Sequence, residues 1–447
     1  MTARPIRVAV VGSGPAGFYA AGALLASAEP RVEVDMIERL PTPWGLVRLG
    51  VAPDHPNIKS VSRAFERIAS TEGFRFFGNV EIGHDVTHEE LAERYDAVIY
   101  AVGAQTDRQL GIPGEDLPGS WPATAFVAWY NGHPDFQDLE FDLSHERAVV
   151  IGNGNVALDV ARMLALTPDE LAPTDTTDEA IAAINESGIR EILVVGRRGP
   201  VQAAWTPVEV GELGELAGAD VLVEPADLEL DDASAAELEA APPTVKRNVE
   251  HLRGYAVREP SGKPRAIRLR FLSSPVAIVG NGKVEGIELV RNELVDGRAV
   301  ATDDRETVPC GIVFRSVGYR GVELPGLPFD PGTGTIPNEG GRVAPGLYVA
   351  GWIKRGPSGV IGTNKKDATE TVELVLEDAR AGALPVASGD DLEALLSDRG
   401  VEHVLYAGWE GIDAAERAAG ESRGRPRVKL CTWDELLAAA RGRPVSR

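Results

Sequence analysis

Cysteine is almost missing from this chain: two in 447 residues, Cys310 and Cys431. They form neither a C-x-x-C pair nor a disulfide framework, which excludes chemistry that needs a dithiol. Basic charge is also short, with 45 Lys and Arg against 68 Asp and Glu and a net charge of −23. A field of that sign repels nucleic acid and anionic lipid, so neither is an expected partner. No apolar run approaches the ~20 residues that cross a bilayer. The opening "MTARPIRVAVVGSG" has no apolar h-region and no Arg- and Ser-rich transit stretch. The expected location is therefore the cytoplasm, without membrane insertion.

What is present is a repeated grammar. The length predicts two or three domains. "IRVAVVGSGPAGFYAAGALLASA" is a β-branched run, a glycine turn and an alanine-rich helix. Its G-x-G-x-x-G stands between strand and helix, where a dinucleotide site needs it. Gly12 permits the tight turn, Gly14 admits a pyrophosphate, and Gly17 lets helix and strand pack closely. The phosphate then sits on the helix N-terminus. The following strand, "VEVDMIE", ends at Glu38, a carboxylate that accepts from a ribose diol and repels a 2′-phosphate.

The pattern returns in "RAVVIGNGNVALDVARML", where Gly152, Asn153, Gly154, Asn155, Val156 and Ala157 read G-x-G-x-x-A. Here the next strand, "EILVVGRRG", ends in Arg197 and Arg198. Guanidinium pairs grip phosphate bidentately, so this pocket suits the 2′-phosphate of NADP(H). The arginines lie well beyond the usual ~20 residues from the glycines, because the acidic stretch 169–186 intervenes. Taken alone, Glu38 fits FAD or NAD. Beside an NADP site FAD is the better occupant, with hydride passing from nicotinamide to flavin.

Two strands run into Val-Gly, "YDAVIYAVGAQ" and "CGIVFRSVGYR", and mark crossings between domains. The expected fold is α/β with two Rossmann-like dinucleotide-binding domains. An FAD domain, 1–106 and 321–447, is discontinuous, and the NADP domain, 107–320, is inserted in it.

"PTPWGLVRLGVAPDHP" (41–56) fits no helix or strand period. Long apolar loops of this kind are functional more often than disordered. Following Glu38, it is expected to run along the cofactor and shield flavin, ending at His55 near the flavin or at a partner surface. The alternative is a histidine that only ties the loop together. Asp159 is read as a residue of the turn after the second glycine motif, either a helix-start acid or a partner of His55. His84 and His88 suggest a metal pair by spacing, but a capping box at Thr87 and Glu90 puts His84 ahead of the helix. No metal site is expected.

The strings "GSGPAGFY", "PWGLVRLGVAPDHP", "GNGNVALDVAR", "VGRRGPVQAAWT", "RSVGYRG" and "GWIKRGPSGVIGTNKKDA", in this order, resemble the adrenodoxin reductase-like ferredoxin–NADP+ reductases, glutathione reductase-type flavoproteins. The resemblance spans nearly the whole chain. It implies that Ala16, Glu38, Leu46, Val80, Trp352, Gly359, Val360 and Ile361 contact FAD. It further implies that Asn153 to Val156, Arg197, Arg198, Glu209 and Gly359 contact NADP. Without a dithiol, electrons are expected to leave the flavin singly for a ferredoxin-type iron–sulfur protein. Ferredoxins are acidic, so docking is expected on Arg48, Lys354, Arg355 and the arginines of 423–427. A flavin monooxygenase and an NADP(H)-sensing module remain as alternatives.

Overall fold

The computed structural model describes residues 4–359 and 361–443. The chain divides into two units. The first contains residues up to Thr106, His133–Asp135 and the part from Tyr319 onward; the second contains Asp107–Gly132 and Phe136–Gly318.

The first unit is built on Ile6–Val11 (β1), Pro15–Leu25 (α1) and Val32–Glu38 (β2). Pro15 opens α1, where a missing N–H costs nothing. β1 is buried along Val8–Val11, as a strand covered on both faces must be. It lies between Ala97–Tyr100 and β2, all parallel, with Phe74–Gly78 beyond β2 and Leu347–Val349 beyond Ala97–Tyr100. Arg342–Ala344 closes the other edge antiparallel. The order reverses at β1, the position where open α/β sheets leave a crevice at their carboxyl ends.

The second unit repeats the plan with Arg147–Ile151 (β3), Asn155–Ala165 (α2) and Glu191–Val195 (β4). Its six strands are all parallel, and β3 lies between Ile312–Arg315 and β4. The long interval between α2 and β4 holds two short helices, Pro168–Leu171 and Asp178–Asn185, which explains the displaced arginines. A three-stranded antiparallel sheet, Ser273–Val279, Gly286–Val295 and Arg298–Pro309, has no counterpart in the expectations above.

One ion pair ties the 41–56 loop to the C-terminal part of its unit. Arg48 donates to both carboxylate oxygens of Glu416, at 2.8 and 2.5 Å, and neither side chain is more than 3% exposed. Arg427 and the Leu430 amide also donate to Glu416, at 2.9 Å each. Arg48 further lies 5.3 Å over the Trp409 ring. Burial acts to raise the Glu416 pKa, but Arg48, then Arg427 and the Leu430 amide, outweigh it and hold the carboxyl below its usual range.

Removing one partner leaves buried charge uncompensated, which typically costs about 3–5 kcal/mol. Glu416→Gln is expected to lower unfolding stability by about that much, read from denaturant melts at pH 7. Because the folded pKa is depressed, the wild-type contribution is present above the unfolded value of 4.5 and lost as pH falls through the folded one. The variant's stability should therefore fall less steeply on the acid side.

Candidate nucleotide sites

In the first unit Gly12 takes φ +101°, and a Cβ there would lie 2.6 Å from the Ala101 carbonyl oxygen. At Gly17 a Cβ would overlap the Gly12 carbonyl oxygen. These two glycines are fixed by contact of backbone with backbone. Gly14 differs: a Cβ there meets nothing within 4 Å. It is the N-cap of α1, and no side chain caps that helix. Open space above a glycine, at a helix start whose N–H groups need acceptors, is the cradle a pyrophosphate requires.

Glu38 stands beside it. Its Oε2 accepts from the Ser13 amide at 3.0 Å and the Ser13 hydroxyl at 2.7 Å, and Oε1 accepts from the Leu40 amide at 3.1 Å. The β2 carboxylate is thereby clamped to the glycine turn. Val80 is buried, and its amide donates to the Glu38 carbonyl at 3.0 Å.

The 41–56 loop returns to the same turn. The Trp44 amide donates to the Ser13 carbonyl at 3.0 Å, and a Cβ on Gly45 would stand 3.0 Å from the Gly14 Cα. Trp44 has φ +85°, a conformation that a bulky residue adopts only where surrounding structure enforces it. Its indole N–H is buried without a hydrogen-bond partner among the described residues. Leu46 is 41% exposed, whereas His55 is 8% exposed. His55 caps the helical turn Pro56–Lys59, so it does not lie open on a surface as one expectation held.

Gly351 packs against Ala16, with 2.6 Å from a built Cβ to the Ala16 Cβ, and Trp352 follows it. The Trp352 indole donates to the Ser358 carbonyl at 3.2 Å. Gly359, at φ +80°, precedes the helix Ile361–Arg380. Val360 lies outside the described residues.

The second unit repeats the arrangement. A Cβ at Gly152 would overlap the Ser316 carbonyl oxygen, while at Gly154 it would meet nothing within 4 Å. Gly154 caps α2 without a side-chain bond. The segment after β4 folds back over this turn: the Ala204 amide donates to the Asn153 carbonyl at 2.8 Å and the Thr206 amide to Asn155 Oδ1 at 2.9 Å. Trp205 is buried there, and its indole N–H has no hydrogen-bond partner among the described residues. Val156 packs at the margin of the core.

Arg197 and Arg198 are exposed at the end of β4, and neither has an acidic partner among the described residues. In a chain with so many acids, two such guanidinium groups side by side are a phosphate site in waiting. Their backbone is held: Asn292 Nδ2 donates to the Arg197 carbonyl and the Leu272 amide to that of Arg198.

Two expectations need correction. Asp159, expected in the turn after the second glycine motif, is a helical residue instead. It lies inside α2 and accepts from Arg162 at 3.0 Å, and Arg162 also donates to Glu209 at 3.1 Å and to Glu212 at 3.4 Å. Arg162 is 2% exposed, so Glu209 is engaged with a buried cation. The expected basic docking surface is also largely internal. Arg48 is paired with Glu416, Lys354 with Asp367 at 3.1 Å, and Arg427 with Asp413 at 2.8 Å. Arg425 is buried too; of this set Arg423 is exposed.

The pyridine nucleotide-disulphide oxidoreductase family model matches residues 6–178. NADPH-ferredoxin reductase FprA of Mycobacterium tuberculosis is 54% identical over 457 aligned residues, covering 98% of this chain and 100% of that protein. The chain belongs to the adrenodoxin reductase-like NADPH–ferredoxin reductases. Human mitochondrial NADPH:adrenodoxin oxidoreductase is 45% identical across 96% of this chain and 91% of its own length. The solved structure of FprA in complex with NADPH superposes with a TM-score of 0.93 at 54% identity, over 98% of this chain and 100% of that one. The expected family, α/β dinucleotide-binding fold, oxidoreductase activity and cofactor pair FAD and NADP(H) are borne out. No helix among the described residues is long and apolar enough to cross a membrane.

The residues fit both groups. Each unit has a glycine cradle, an uncapped helix start and a buried indole donor, and the strand ends differ in charge as FAD and NADP(H) require. Replacing Arg197 and Arg198 by alanine is expected to weaken NADPH roughly a hundredfold or more, at roughly 1.5–3 kcal/mol per charged hydrogen bond. NADH should lose far less, and turnover at saturating coenzyme should survive. kcat/KM for both coenzymes checks this; an equal loss would assign the pair to the fold.

Proposed function

We propose that this chain is an FAD-dependent NADPH–ferredoxin oxidoreductase that works in the cytoplasm, with FAD in the first unit and NADP(H) in the second. The observation that carries the reading is the asymmetry of two otherwise matching cradles. One ends on Glu38, clamped to its glycine turn, and the other on Arg197 and Arg198, which have no acidic partner among the described residues. FprA is named for NADPH and ferredoxin, and its likeness runs the full length of both chains.

FAD bound in the first unit would supply the chemistry that links a two-electron hydride donor to a one-electron carrier. The chain's own residues make that transfer selective. Gly14 and Gly154 admit the phosphates, Glu38 orients the first ribose, and Arg197 and Arg198 hold the second cofactor by its 2′-phosphate. The Trp44–Leu49 stretch, pinned by Arg48, keeps the 41–56 loop over the first cradle and excludes water. Ala16, Leu46, Val80, Trp352, Gly359 and Ile361 line the flavin side, and Asn153, Asn155, Val156 and Glu209 the coenzyme side. His55, enclosed at the end of the loop, holds or moves a proton near the flavin. Asp159 acts through Arg162, as a positioning residue. The two cysteines form no C-x-x-C pair and offer no dithiol as a second route. The electrons therefore leave for an external iron–sulfur carrier of the ferredoxin type.

Anaerobic titration with NADPH is expected to bleach a bound yellow flavin, and adding a ferredoxin should restore the colour as the carrier is reduced. Oxygen uptake in step with an organic substrate would favour a monooxygenase instead, and a flavin indifferent to NADPH would favour a sensing module. His55→Gln should retain flavin and NADPH affinity while changing turnover or its pH profile. Loss of flavin from that variant would make the histidine structural.

A further inference from the structure

Directly after the ribose-facing carboxylate Glu38 comes a cation, Arg39, placed where a 2′-phosphate would find a partner. Left free, it would blunt the selectivity that Glu38 provides. It is not free. Arg39 Nη2 donates to Asp135 Oδ2 at 2.5 Å, and its guanidinium lies 5.6 Å from the centre of the Trp433 ring. The Trp433 indole N–H donates to the other oxygen, Asp135 Oδ1, at 3.0 Å. All three residues belong to the first unit, as does His133, whose Nδ1 accepts from the Asp135 amide at 3.2 Å. Burial lowers the His133 pKa to about 4, so near neutral pH this ring brings no positive charge to the group.

The second unit offers the contrast within one chain. There the strand-end arginines have no acid partner among the described residues and remain available. In the first unit an acid 96 residues away and an aromatic ring occupy the corresponding cation. A guanidinium with one donor engaged by a carboxylate and one face against an indole has its charge offset and its orientation fixed, and is less free to grip a phosphate.

We infer that Asp135, held by Trp433, is a specificity-determining residue of the first cradle: it withholds Arg39 so that this site takes an adenosine with an unphosphorylated ribose and rejects the 2′-phosphorylated coenzyme. This rests on the proposal that FAD occupies the first unit. It adds that the selectivity is set by residues outside the glycine turn and outside β2. Arg39 and Asp135 are each about one-third exposed, so the pair is accessible to a competing phosphate once the carboxylate is removed.

The test uses the holoenzyme at equilibrium, with released FAD read by its fluorescence. Displacement by adenosine 5′-diphosphate is compared with displacement by adenosine 2′,5′-bisphosphate. In the unsubstituted protein the 5′-diphosphate should displace FAD more effectively. Asp135→Asn keeps the shape and the acceptor for Trp433 but removes the charge. It should shift the ratio roughly tenfold or more toward the 2′-phosphorylated ligand, the effect of one charge-assisted hydrogen bond. Trp433→Phe, which loosens Asp135 without removing it, should shift the ratio in the same direction by less. The double variant Arg39→Gln/Asp135→Asn should return it to the starting value. An unchanged ratio in flavin-loaded Asp135→Asn protein overturns the inference and leaves the FAD assignment standing. A shift that persists in the double variant overturns it as well, because Arg39 is then not the cation involved. Purified protein without flavin would instead overturn the assignment on which the inference rests.

Discussion

Contact of backbone with backbone at two glycine turns is the constraint from which the sites follow. Gly12 and Gly17 in the first unit, and Gly152 in the second, stand so close to carbonyl oxygens that no side chain fits. Gly17 against Gly12 draws the first helix up to the end of its strand, while Gly12 and Gly152 admit the neighbouring strand ends at Ala101 and Ser316. Gly14 and Gly154 are left facing open space. Helix N–H groups that no side chain caps then supply the field for an anion, and the same geometry serves both units. Their difference in chemistry is left to the strand ends.

The 41–56 loop shows how irregular backbone is held without strand or helix partners. Trp44 in a left-handed conformation costs roughly 1–3 kcal/mol, and such strain persists only where neighbours over-determine it. Those neighbours are identifiable. The Trp44 amide is bound to Ser13, its ring sits edge-on 4.8 Å from Trp409, and Arg48 a few residues later is locked to Glu416. Buried ionic contacts are a poor source of net stability but a good source of geometry. Here the geometry is the close approach of Gly45 to Gly14.

What was legible in the sequence was what is local. Strand, glycine turn, helix and strand-end charge lie within a few dozen residues, and their periods and turn residues announce them. The capping box at Thr87 and Glu90 is present as read, and His84 precedes its helix. What was illegible depends on partners remote in sequence. Arg48 reads as a surface cation until Glu416, 368 residues away, is placed beside it. Arg39 passed unremarked because Asp135 and Trp433 are 96 and 298 residues from their partners. Asp159 was misplaced for a different reason: the helix begins at Asn155, so the acid is already one turn inside. The antiparallel sheet at 273–309 escaped because its alternation is broken by bulges after Pro275 and Val290.

The separation between Arg48 and Glu416 also orders events during synthesis. Strands near the start of the chain cannot complete their sheet until Leu347–Val349 has emerged, and the 41–56 loop has no counter-ion until Glu416 follows. The second unit needs nothing beyond Gly318. Domains fold as units while the chain grows. The unit begun first is therefore finished last, with its early strands waiting while roughly three hundred residues are added. Flavin has no assembled pocket to enter until Glu416 has been added, and a chain stalled before it would carry a folded coenzyme unit and an unfinished flavin unit.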